Sequence, residues 1–237
     1  MKCDAIIPAQ TARWADNVPF LLWEVGQRVL VEHWMNVLFR CNAELRLWME
    51  EPDEQLFAFI CDTFPLNRRV QIEVGAPRSR PEACTFFDAK GNILMRRGPQ
   101  LTPCLPRQSA LVTWFEMVKR WLEELQTSGS QVPELETQIA PGVFVGHHCE
   151  ISKHTQFIAP CWVGSGATVR GAVVGPYAVI GEDAVVAAGV LISESYVLSR
   201  SFVGADAIMR GQVAGPLGRL EISSGVPVDT QTGRLSL

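Results

Sequence analysis

IAPGVF VGHHCE ISKHTQ FIAPCW VGSGAT VRGAV VGPYAV IGEDAV VAAGVL ISESYV LSRSF VGADAI MRGQVA is the run from Ile139 to Ala214, divided at each apolar step. Eleven units of six residues and two of five cover it, and all thirteen begin with an apolar residue. In a chain that is 47% hydrophobic, chance produces such a column roughly once in ten thousand trials or fewer. The second position is Gly, Ala or Ser in ten of the thirteen units, with Ile158, Arg170 and Arg210 as the exceptions. The fifth position is small or apolar throughout, from Val143 and Cys149 to Ala207 and Val213. Tyr196 and Phe202 are the large residues at this position and read as a local widening of a core.

A triangular prism of short parallel strands explains every column. The first residue of each unit fills the prism, the second is small beside a corner, and the third and fourth turn the chain. Three units make one coil, so thirteen units make about four coils, stacked at the ~4.8 Å spacing of neighbouring strands. Val163, Val174, Ile180 and Val186 are expected to point inward. The pattern resembles the left-handed β-helix of the hexapeptide-repeat family, over about a third of the chain. Exposed end coils leave unpaired N–H and C=O groups and need covers. The tail 215–237 is expected to pack over one end, and the helix carrying Trp114, Phe115, Trp121 and Leu122 over the other.

Composition separates this run from what precedes it. Residues 1–137 hold 15 of the 21 Lys and Arg, 18 of the 25 Asp and Glu, and six of the seven Trp. Thr127-Ser128-Gly129-Ser130-Gln131-Val132-Pro133 stops the preceding helix and reads as a linker. The expected organisation is an α/β domain over residues 1–130, an all-β left-handed parallel β-helix over 138–214 and a capping tail over 215–237. Within the first part the sequence predicts strands at Asp4–Ala9, Ala43–Met49 and Arg69–Val74, and a hairpin from Ala83–Phe87 to Ile93–Met95 around Asp88-Ala89-Lys90-Gly91. Helices are predicted at Gly26–Phe39, Glu54–Thr63 and Arg107–Leu125. Alternating strands and helices point to a small open α/β sheet.

Whole-chain features exclude several classes. A net charge of -4 gives no nucleic-acid footprint, and no apolar run approaches the ~20 residues of a membrane span. MKCDAIIPAQ has too short an apolar stretch for a signal peptide. The reading is a cytoplasmic protein with no membrane or nucleic-acid partner. Seven cysteines without a Cys-x-x-Cys spacing fit reduced thiols, and no metal site is expected.

Two strings carry a second resemblance. "AIIPAQTARW" followed by "VPFLLWEVGQRVLVEHWM" is similar to the start of the sugar-phosphate nucleotidyltransferases, in which a strand leads into a glycine-rich loop ending in Thr-Arg, then a Lys-Pro and a leucine-rich segment entering a helix. Leu22, Val25-Gly26, Leu30 and Glu32-His33-Trp34 fall on that pattern. "EQLFAFICDTFPLNRRVQIEV" is similar to the family's second helix and third strand, and many members carry a left-handed β-helix immediately downstream. The resemblance implies a sugar phosphate or nucleotide as ligand, Gln10, Thr11 and Arg13 as substrate-binding residues, and Mg²⁺ as the cofactor wherever transferase activity survives.

The chain departs from the family where the chemistry is done. Ala9-Gln10-Thr11-Ala12-Arg13-Trp14 contains no glycine, so it lacks the bare backbone that wraps phosphates. Val18 of Val18-Pro19 replaces the lysine. The family's metal-binding Gly-Asp has no counterpart, because Asp62 falls on a helix and Asp88 on a hairpin. The domain is also about half the expected length. It reads as a shortened, degenerate nucleotidyltransferase-like domain with impaired or lost catalysis and a binding or regulatory role. Arg68, Arg69, Arg78, Arg80, Arg96, Arg97 and Arg107 make the middle of the chain locally basic and read as solvated.

Two other classes stay open. Hexapeptide-repeat acyltransferases use a histidine as general base toward acyl-CoA. His147, His148 and His154 fall at turn positions, which makes His148 a candidate catalytic residue beside Arg13. A catalytically silent assembly subunit is the other class. A four-coil prism has little core of its own, so a homodimer or homotrimer is expected.

Overall fold

The computed structural model describes residues 2–7, 22–26, 28–32, 44–49, 54–63, 70–74, 84–87, 93–96, 107–127, 136–216 and 218–228. The chain divides into two compact units, one formed by residues 1–24 and 28–114, the other by 25–27 and 115–237.

The first unit contains strands β1 (Lys2–Ile7), β4 (Glu44–Met49), β5 (Val70–Val74), β6 (Cys84–Phe87) and β7 (Ile93–Arg96) in one sheet. Their spatial order is β5-β4-β1-β6-β7. β1, β4 and β5 run parallel, β6 joins β1 in parallel through Ala5 and Thr85, and β7 turns back antiparallel on β6. Helix α1 (Glu54–Thr63) buries Leu56 and Ile60, one turn apart, and carries Glu54 in its first turn, where the helix dipole favours a negative charge. β2 (Glu24–Val25) and β3 (Arg28–Val29) form a small hairpin, and the helical residues begin only at Leu30. The helix expected from Gly26 therefore starts four residues later. Gly26 takes a left-handed turn at φ 65°, which ends one strand and starts the next.

Helix α2 (Arg107–Thr127) buries Leu111, Trp114, Phe115, Val118, Leu122 and Leu125. These positions recur at the three- and four-residue steps of one helical face. In the first unit, Trp114 meets Trp23 edge-on with ring centroids 5.7 Å apart, and its indole N–H donates to the Glu24 carbonyl at 2.7 Å. The helix closes at Thr127, whose hydroxyl donates to the carbonyls of Glu123 and Glu124.

The second unit is a parallel β-solenoid of about four turns over residues 143–214, in the form of a left-handed β-helix. Face A holds β9 (Val143–Gly146), β12 (Cys161–Val163), β15 (Ala178–Ile180), β18 (Ser195–Val197) and β21 (Gln212–Gly215). Face B holds β10 (Glu150–Ile151), β13 (Thr168–Val169), β16 (Val185–Val186) and β19 (Phe202–Val203). Face C holds β11 (Gln156–Phe157), β14 (Val173–Val174), β17 (Leu191–Ser193) and β20 (Ile208–Arg210). Both outer edges of face A are covered by antiparallel strands. β8 (Glu136–Ala140) pairs with β9, while β22 (Gly218–Glu221) and β23 (Pro227–Val228) follow β21.

Val163, Val174, Ile180 and Val186 lie in the prism, each fully buried. Their column continues through Val169, Ile192, Val197, Val203 and Met209, and this dry stack holds the coils together. The second position has a steric reason to be small. A Cβ on Gly146, Gly164 or Gly181 would press on the backbone nitrogen of Ser165, Glu182 or Ser199 in the next coil.

Register pairing corrects three sequence readings. Ile139 lies on antiparallel β8 and is 52% exposed, so the first apolar column begins at Val145. The second short unit is 192–196 and not 198–202, because Ile192 pairs with Val174 while Val197 pairs with Ile180. A third short unit is 209–213, since Met209 pairs with Ile192 and Ala214 with Val197. Phe202 consequently moves to the outward sixth position, pairs with Val185 and is 69% exposed. Tyr196 pairs with Val179 on the outside of face A. Neither widens the prism.

That outer side of face A is nevertheless buried. Phe144, Trp162, Val179, Tyr196 and Val213 stack in register and are all 0% exposed. The C-terminal half of α2 lies along them: the Trp121 ring meets Trp162 edge-on with centroids 5.6 Å apart, and Gln126 lies against Gly142. The Tyr196 hydroxyl reaches the Gly26 carbonyl at 3.5 Å, and the Trp121 ring covers Gly26. The helix expected over one end of the prism thus covers a side instead, because the large residues stand on that side.

Candidate functional site

β1 is the central strand of its sheet, with β4 on one side and β6 on the other. The chain builds first toward β4 and β5, then returns past β1 to add β6 and β7. A reversal of strand order leaves a crevice at the carboxyl ends of the parallel strands, where open α/β sheets take their ligands. β1, the strand at this reversal, ends at Ile7, three residues before Gln10 in the sequence. Gln10, Thr11, Arg13 and Val18 lie outside the described residues, as do Arg68, Arg69, Arg78, Arg80 and Arg97.

Asp62 stands exposed on α1, and Asp88 lies outside the described residues. Among the described residues no three His, Cys, Asp or Glu are grouped to hold a metal. No group of the described residues fits Mg²⁺.

The histidines occupy solenoid turns. His147 and His148 form the turn between β9 and β10, both exposed, with ring centroids 6.2 Å apart. The His147 N–H donates to the Ser165 hydroxyl of the next coil at 3.2 Å. His148 takes a left-handed conformation at φ 57°, as do Asp183 and Arg200 at the matching place in later coils. His154 stands at the following corner, between β10 and β11. Among the described residues the three histidines form no metal-holding group, and no described residue supplies a carboxylate or carbonyl bonded to the His148 ring.

Two of the described thiols, Cys149 and Cys161, are held toward the neutral form. Burial pushes Cys161 up to about 12. Cys149 is also pushed up, by burial first, against hydrogen bonds that favour its thiolate, and its Sγ donates to the Gly164 carbonyl at 3.1 Å.

One polar cluster was not legible in the sequence, because its members are far apart along the chain. The Tyr177 hydroxyl donates to Glu123 Oε1 at 3.0 Å, and this bond to a carboxylate raises the phenol above its ordinary value. Lys119 Nζ lies 3.5 Å from Glu194 Oε2 and 5.9 Å above the Tyr177 ring. The cluster is open to solvent, where an ion pair contributes about 1 kcal/mol or less. It ties α2 to one corner of the solenoid.

No family model matches the chain, and no curated protein matches it. No helix of the described residues is long and apolar enough to cross a membrane.

Proposed function

We propose that this chain is a sugar-nucleotide-related protein of the sugar-phosphate nucleotidyltransferase type that binds its ligand without efficient catalysis, in a sensing or regulatory role. One observation carries the reading: β1, the strand that precedes Gln10, Thr11 and Arg13 in the sequence, is the central strand at which the strand order reverses. An arginine in the segment after such a strand can donate bidentately to phosphate oxygens. The glycine-free stretch and Val18 remove two preorganised contacts with the phosphates. Losing one such contact typically costs about 10²- to 10³-fold in rate, so catalysis should fail before binding does.

The test pairs two measurements on the full chain. Thermal shift is read against nucleoside triphosphates, sugar nucleotides and acetyl-CoA, and pyrophosphate release is read with sugar 1-phosphates, nucleoside triphosphates and magnesium. A ligand at 100 times its Kd stabilises by about 2.7 kcal/mol. Stabilisation by a sugar nucleotide without pyrophosphate release is the expected result. Turnover in the ordinary enzymatic range of roughly 1 to 10³ s⁻¹ would overturn the loss of catalysis. A shift with acetyl-CoA alone would favour the acyltransferase class.

A further inference from the structure

We draw no further inference here: the strongest candidate, the outward apolar row of Val173, Leu191 and Ile208 along face C of the solenoid, carries none, because nothing in the structure shows what covers it.

Discussion

Gly175 shows how little freedom a solenoid corner allows. It sits at φ 112°, a conformation L side chains rarely adopt, and a Cβ there would fall on the Ile158 carbonyl oxygen of the preceding coil. Gly175→Ala should destabilise the second unit by about 3 kcal/mol or more. Gly211→Ala should cost only about 1 kcal/mol, because at φ 61° its Cβ meets nothing within 4 Å. Denaturant melts of the two variants check the contrast, and equal losses would refute it. Cys161 gives a pH-dependent outcome. Its thiol is raised from 9.0 to about 12 by burial, so between those values the unfolded chain has lost a proton that the folded chain keeps. Stability from this group is complete below pH 9 and declines as pH rises toward 12. The native protein should leave Cys161 unalkylated at mildly alkaline pH while the denatured chain reacts, as read by mass spectrometry of the peptide.

At the scale of elements, α2 and face A form one packed layer. Trp121→Ala removes the ring that meets Trp162 and covers Gly26, and exposes part of the row from Phe144 to Val213. A loss of about 2 to 3 kcal/mol is expected, below the range for a fully buried tryptophan because this one is half-buried. The variant should also bind a hydrophobic dye. Unchanged melting and no dye binding would show that the helix does not protect this side. Inside the prism, Ile180→Asp places an unpaired charge at a fully buried site and should cost several kcal/mol, whereas Phe202→Asp on the exterior should cost little. A melting temperature untouched by Ile180→Asp would contradict the register.

For the molecule as a whole, a solenoid is close to one-dimensional, each coil touching only its neighbours. Val163 pairs with Ile180, so deleting Val163–Val179 removes one complete coil and joins Trp162 to Ile180 in register. That variant should fold, with a lower melting temperature. Deleting only Val163–Thr168 turns every later strand onto the wrong face and sets the bulky outward row of face A where no helix covers it. It should aggregate or melt without cooperativity, and a deletion series followed by circular dichroism distinguishes the two.

The sequence by itself determined the solenoid, its coil number and its inward column from Val145 to Ile192, because a repeat exposes the same steric demand many times over and each position is tested against its copies. It also set the span of α1 and the amphipathic face of α2. The tertiary structure alone decided where the short units fall. Tyr196, Val197 and Leu198 are all apolar, so composition cannot locate a missing turn residue among them, whereas hydrogen-bond register can. It alone decided that α2 lies on face A, since a large outward residue such as Trp162 reads as core until a partner is seen against it. The candidate ligand site divides in the same way. The glycine-free stretch was legible as altered chemistry, but that β1 before it is the strand at which the order reverses depends on β6 pairing beside β1, a contact between segments far apart in the chain that no local pattern encodes.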